Sequence, residues 1–405
     1  MKKAAWVIPS FIEGSGGYRT IFQHINYMSK QYICDVYCYD SGDFKDVKQL
    51  KSRATSLYGE CNCNFYLGFL IKEELEYDLV IATAWITAEV VRQYKGSAEK
   101  LYFVQDYEPF FYPVGNEYLE AANSYNFGLK HITIGRWLSW KLQKEHNALT
   151  YYFDFCADKT VYKRLEKIKK QNAVCFIYQP EKPRRSCELG LKALYIVKKI
   201  MPDVTIYLYG SEKKGNTPMD CVNKGIISLD QCNRLYNTCK VGLCISATNP
   251  SRIPFEMMAA GLPVVDIYRE NNLFDYPQDG ILLAQSRPEA IAQAIINILN
   301  DTQLQCKMSE CGQSFMKSRN IEYGMKKFMD IIDIAESESH SDIHVVQMTY
   351  TLSPVIASKE LLNKCDDFSL VKIFENNNLL SKLKHIRWIR NFPGIKKLGS
   401  VLKNV

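Results

Sequence analysis

Short apolar runs alternate with helical patterns along most of this chain, and the alternation occurs twice. The first set of candidate strands is Ala4–Ile8, Ile33–Tyr39, Asp78–Ala82, Leu101–Val104 and His131–Ile134. The second is Ala173–Tyr178, Thr205–Tyr209, Val241–Ser246, Pro263–Ile267 and Ile281–Ala284. Helical periodicity falls between them, as at Tyr18–Lys30, Arg136–His146, Glu188–Ile200, Pro288–Leu299 and Thr302–Lys317. Strand–helix–strand alternation is the pattern of parallel pairing, in which helices cover both faces of the sheet. Two such sets predict two doubly wound α/β domains, each binding ligands at the carboxyl ends of its strands. The length of 405 residues agrees, being too great for one ordinary core.

The halves join near Lys159–Asn172, a polar, basic stretch. It reads as an interdomain linker or as a solvated helix closing the first domain, and both readings put the boundary there. The expected domains are 1–160 and 161–338, with Glu336–His340 (ESESH) as a second junction. Residues 339–405 lose the alternation and read as a basic extension with a helical tail. From Ser381 to Val405 there are seven Lys or Arg and no acid, mixed with Trp388 as in interfacial helices. Such charges hold an anionic membrane surface at about 1 kcal/mol each. A helix packed on the protein body fits the same amphipathicity. The net charge is +7, yet no nucleic-acid module accompanies it.

No apolar window of about 18 residues predicts a transmembrane helix. The opening MKKAAWVIPS reads as a first strand, since Pro9 and Glu13 interrupt a signal-like run. Fourteen cysteines lack metal-site spacing, and the tightest pair, Cys61 and Cys63, has no matching partner. Reduced thiols in a cytoplasmic protein, peripheral on the inner face of the cell membrane if the tail binds lipid, are the expectation, with no metal site.

Three loops carry candidate chemistry. After the first strand, Gly14, Gly16 and Gly17 open a helix. Glycines there expose backbone N–H groups to an anion, although the spacing is neither GxGxxG nor a P-loop. A tight turn needing positive φ is the structural alternative. After the first strand of the second half, Pro180 and Pro183 hold a loop in which Arg184 and Arg185 stand just before a helix. That position suits a forked grip on phosphate. The third loop, Ser246–Glu256, is polar, includes Thr248, Ser251 and Arg252, and runs into an apparent helix start at Pro254. Glu256 would then lie in a first helical turn, either as a carboxylate favoured by the macrodipole or as an acceptor for ligand hydroxyls. Gly210 directly follows the candidate strand Thr205–Tyr209. In the first half, Gln105, Asp106 and Glu108 sit at a strand end among Tyr107, Phe110, Phe111 and Tyr112. Carboxylates beside aromatic faces suit sugar binding, and Pro109 and Pro113 alternatively mark a structural turn. His24, His131 and His146 read as structural.

These features together, with PFEMMAAGLPVV at 254–265, resemble a GT-B glycosyltransferase of family 4, the retaining nucleotide-sugar enzymes. The resemblance covers roughly residues 1–335 and implies two Rossmann-like domains facing a cleft. The segments GGYRTI, VIATAWITAEVV, YFVQDYEPFFYP and PRRSCELG are similar to bacterial rhamnosyltransferases that use dTDP-rhamnose. By resemblance, Glu256 contacts the nucleotide ribose and Arg185 the diphosphate. The family places a second glutamate where Thr248 stands, an arginine where Gln179 stands, and a His-Asp pair where Gln105-Asp106 stands. Arg252 is a candidate to restore the charge missing at 179.

The resemblance therefore implies transfer of a hexose, with rhamnose the leading sugar, from a nucleotide diphosphate to a saccharide or lipid-linked saccharide in surface polysaccharide synthesis. It implies Asp106, Arg185 and Glu256 as the catalytic set. Gly16, Gly17, Gly210, Arg184, Thr248, Ser251 and Arg252 would bind donor, and Gln105, Asp106 and Glu108 acceptor. No metal and no cofactor beyond the donor are implied. A UDP- or GDP-sugar donor, and a non-catalytic nucleotide- or carbohydrate-binding subunit of a synthesis complex, stay open as alternatives.

Overall fold

The computed structural model describes residues 1–13, 15–38, 44–213, 217–337, 346–366 and 368. The basic stretch 381–405 lies outside the described residues. The first domain is built on strands β1 (Lys2–Ile8), β2 (Tyr32–Cys38), β3 (Asn64–Leu67), β4 (Leu79–Ala82), β5 (Glu99–Val104), β6 (Lys130–Ile134) and β7 (Thr150–Phe153). They form one parallel sheet in the order β3-β2-β1-β4-β5-β6-β7. Helices α1 (Gly16–Met28), α2 (Val47–Tyr58), α3 (Trp85–Gln93), α4 (Asn116–Ser124) and α5 (Arg136–His146) connect the strands. The central strands β1 and β4 are almost wholly buried, as helices on both faces require.

The second sheet holds β8 (Ala173–Ile177), β9 (Thr205–Tyr209), β10 (Val222–Asn223), β11 (Val241–Leu243), β12 (Val264–Ile267) and β13 (Ile281–Ala284). It is again parallel, in the order β10-β9-β8-β11-β12-β13. Its helices are α6 (Cys187–Ile200), α7 (Leu229–Thr238), α8 (Arg252–Ala259), α9 (Pro288–Asn300) and α10 (Thr302–Met316). All ten expected strands exist. The three missed strands, β3, β7 and β10, are edge strands, short and in part half-buried, so their apolar signal is weak. Between β7 and β8 the chain makes turns and no helix, which decides for the linker reading.

The helix that follows, α11 (Ile321–Ser337), returns to the first domain. Phe328 stacks on Trp6 of β1 with centroids 5.9 Å apart, and Glu336 pairs with Lys2 at 2.6 Å. The range 161–338 thus contributes its last helix to the first sheet. Part of the extension belongs to the second domain: Val355 bridges Ala284, and α12 (Lys359–Asp366) buries Leu361 and Cys365 in the cluster that α9 also forms.

Several contacts join the two domains. Phe155 stacks on Phe255 at 4.6 Å and 6°. Asp275 of the second domain accepts from the amides of Arg136 (2.8 Å) and Trp137 (3.2 Å) of the first. It therefore caps α5 from across the interface, because Gly135 at that helix's N-cap has no side chain to do so. Burial raises the Asp275 carboxyl to about 6.

Candidate functional site

In each sheet the strand order reverses at one point, between β1 and β4 in the first and between β8 and β11 in the second. Crevices open at such points, outside the carboxyl ends of the strands. In the second domain β8 leads into a short turn, Pro183–Arg185, and Ser186 then takes a left-handed φ of 42°. An N-cap serine normally sits in the extended region. In this conformation Ser186 makes no side-chain cap, so the first-turn amides of α6 are left for another acceptor. Arg185 stands beside them. Its Nε is buried without a hydrogen-bond partner, and its nearest bonded neighbour is the Cys244 thiol at 3.9 Å. A buried guanidinium N–H with no acceptor signals an absent anionic partner.

Helix α8 supplies the carboxylate. Ser251 is its N-cap, accepting from the Ile253 amide at 3.3 Å, so its hydroxyl is committed to the helix. The helix begins at Arg252, two residues earlier than Pro254 suggested, because this cap sets its start. Glu256 is consequently its fifth residue, and the first turn holds no acid. Burial raises the Glu256 carboxyl, opposed in turn by Arg252, Arg19, Tyr162 and Arg185. Arg252 also donates to Thr20 Oγ1 of α1, so it ties the two domains together as well as bearing on Glu256. Gly210 follows β9 with φ 103°, and its carbonyl accepts from Gln179 Nε2 at 3.4 Å. A side chain there would meet Ile177 Cδ1 at 2.6 Å.

The first domain faces this set. Gly16 and Gly17 are the first residues of α1, which has no side-chain cap, and Gly16 is open within 4 Å of where a Cβ would stand. Gly17 lies against the Gln105 amide. Asp106 accepts from Thr248 Oγ1 at 3.2 Å and lies 4.0 Å from Arg184, which also covers the Phe111 ring at 4.7 Å. Asn249 Nδ2 donates to the Gln105 carbonyl at 2.8 Å. Burial raises Asp106 to about 6 against the pull of Arg184. Glu108 is raised to about 7 by burial, but both its oxygens already accept, from Tyr102 (2.7 Å) and the Trp85 amide (3.1 Å). Its role in this structure is to tie β5 to α3.

The structure thus brings Asp106, Arg184, Arg185, Thr248, Arg252 and Glu256 to one cleft, with the Gly16–Gly17 helix start opposite. Sequence reasoning missed Arg19, Tyr162 and Asn249. Arg19 falls within the quoted GGYRTI segment, a usable signal; Tyr162 lies in the linker and had none. His24 and His131 are buried and lowered to about 4 by desolvation, consistent with structural roles. None of the fourteen cysteines forms a disulfide. Among the described residues, no helix is long and apolar enough to cross a membrane, and no three His, Cys, Asp or Glu cluster as metal ligands.

Two parallel α/β domains facing across a cleft, with the final helix of the second returning to the first, constitute the GT-B fold. Within it the chain has identifiable relatives. Residues 172–296 match the WsaF C-terminal domain family, and residues 71–136 the WsaF N-terminal domain family. The O-antigen biosynthesis protein RfbC of Myxococcus xanthus is 26% identical over 325 residues, 76% of this chain. The match spans only 25% of that relative's length. Among solved structures, Anabaena HepE in complex with UDP and glucose aligns with a TM-score of 0.64 at 16% identity, covering 84% of this chain and 100% of that one. TarM of S. aureus aligns with a TM-score of 0.67 at 10% identity, covering 84% and 99%.

Proposed function

We propose that this chain is a retaining glycosyltransferase that moves a sugar, with rhamnose the leading candidate, from a nucleotide diphosphate to a saccharide acceptor in cell-surface polysaccharide synthesis. The observation that carries the reading is the cradle at the second sheet's switch point. An acceptor, Glu256, stands near a buried, unpartnered Arg185 N–H and an uncapped helix start. A ligand with sugar hydroxyls at one end and phosphates at the other satisfies both. The WsaF and O-antigen matches support the polysaccharide context, and the UDP complex of HepE supports a nucleotide.

In this reading the acceptor hydroxyl attacks the anomeric carbon on the face from which the diphosphate departs. The new C–O bond forms as the bond to phosphate breaks, and the proton passes to the leaving phosphate oxygen. Arg184, Arg185 and the α6 amides meet the departing charge, the preorganised electrostatics that usually give the largest single contribution. Asp106 stands across the cleft as an acceptor for the attacking hydroxyl. Water exclusion follows from closure of the two domains, which already touch through Thr248, Asn249 and Arg252.

Calorimetric titration with dTDP, UDP and GDP tests the donor site. One of them is expected to bind at micromolar strength without added metal, and Arg185→Ala to bind it about tenfold more weakly, Arg184 retaining part of the phosphate contact. No binding by any of the three overturns the reading. Binding without turnover of any nucleotide sugar would favour a non-catalytic subunit, a reading that the threonine at 248 supports. An acceptor at the inner membrane face fits the seven unopposed charges of 381–405. Deleting those residues is expected to abolish co-sedimentation with anionic vesicles; undiminished co-sedimentation would sink that assignment.

A further inference from the structure

The loop between β11 and α8 spends most of its polar side chains on protein partners. Ser246 Oγ accepts from the Ser251 amide at 3.3 Å. Ser251 Oγ accepts from the Ile253 amide at 3.3 Å as the cap of α8. Thr248 Oγ1 donates to Asp106 across the cleft at 3.2 Å. Asn249 differs. Its Nδ2 donates to the Gln105 carbonyl of the first domain at 2.8 Å, while its Oδ1 is buried and has no hydrogen-bond partner. A carbonyl oxygen only accepts, so the amide atom that meets Gln105 is the nitrogen, and that bond also fixes where the oxygen lies. Pro250, next in the chain, biases the backbone of Asn249 toward the extended region and so restricts it further.

Arg185 Nε, in the same cleft, is likewise buried and unpartnered. Asp106 links the two neighbourhoods, being bonded to Thr248 and 4.0 Å from Arg184. Buried polar atoms left unmet are rare, and here one is an acceptor and the other a cationic donor. A single ligand that carries an anion and a hydroxyl satisfies both. The anion goes to Arg185. It cannot go to Asn249 Oδ1, since phosphate oxygens and an amide oxygen are both acceptors. We propose that Asn249 is a specificity-determining residue for the transferred sugar: its Oδ1 accepts from one of that sugar's hydroxyls. Sugar recognition by this loop then falls to Asn249, and Thr248, one residue earlier, serves the closure of the cleft through Asp106. A site built around such a bond discriminates against an analogue that lacks the hydroxyl, because the buried acceptor is left unmet. The proposal rests on the nucleotide-sugar reading above.

Asn249→Ala removes the acceptor. Variant and wild type are titrated with dTDP, UDP and GDP, and with dTDP-rhamnose, UDP-glucose and GDP-mannose. For the nucleotide that the wild type binds, the expected result is about a fivefold loss of affinity for the sugar form, the worth of one hydrogen bond, and no loss for the bare diphosphate. Asn249→Leu, similar in volume and also without an acceptor, carries the same comparison if the alanine variant does not fold. Equal affinities of variant and wild type for the sugar form overturn the role. Equal losses for both ligands overturn it as well, since they put the oxygen against the nucleotide or reduce Asn249 to its tie with Gln105. Both results leave the nucleotide site standing. Failure of the wild type to bind any of these ligands removes the nucleotide-sugar reading, and this proposal with it.

Discussion

Glu256→Ala is expected to weaken nucleoside diphosphate binding about thirtyfold while leaving stability unchanged or slightly raised. One hydrogen bond to a charged acceptor is worth roughly 1.5–3 kcal/mol, and about 2 kcal/mol corresponds to that loss. dTDP offers a single pentose hydroxyl to the carboxylate, so UDP, which offers two, should lose more. Stability moves the other way because burial raises the Glu256 carboxyl above its ordinary value. A carboxyl so raised contributes stability below the unfolded-state value, near pH 4.3, and that contribution is lost as pH rises through the folded-state value. At pH 7 its ionised form is therefore a cost to folding, which alanine removes. Calorimetry paired with thermal melting checks both halves. Unchanged affinity would reduce Glu256 to a buried helix residue. Helix-start electrostatics would not then explain it, since the effect fades within the first turn and Glu256 lies beyond that turn.

Asp275→Ala is expected to destabilise the protein by about 2 kcal/mol, because the amides of Arg136 and Trp137 lose their acceptor inside the interface. Each orphaned buried amide costs about 1–3 kcal/mol, partly offset by release of a desolvated carboxylate. The pH dependence follows from a carboxyl raised to about 6. Its stabilising contribution is complete below the unfolded value near 3.9 and is lost as pH rises through about 6. The gap between wild type and variant should therefore be wider at pH 5 than at pH 7.5 in urea denaturation. A pH-independent gap would show that the capping geometry, and not the titration of Asp275, governs this joint.

The placement of much of the candidate site was legible in the sequence. Arg184, Arg185 and Glu256 were readable because strand ends followed by helix starts are local patterns, and parallel sheets put ligands there. Glu108 was legible as a strand-end carboxylate but not as a residue whose oxygens are both taken, since Tyr102 and the Trp85 amide meet it through folding. Ser251 carried the signature of a polar loop, and only helix geometry showed that its hydroxyl caps α8. The edge strands β3, β7 and β10 escaped because a short or partly exposed strand leaves too few apolar residues to count.

Composition and periodicity by themselves determined two parallel α/β domains and the loops at their carboxyl edges. These depend on side chains within a few residues of one another, and the periods of strand and helix record them. The tertiary structure alone decided the return of α11 to the first sheet, the cap that Asp275 lends α5, the tie from Arg252 to Thr20, and the bond from Thr248 to Asp106. Each joins residues about a hundred or more positions apart. No local period encodes such a pairing, because what selects it is burial and unmet hydrogen-bonding capacity at a surface that exists only once both domains have formed.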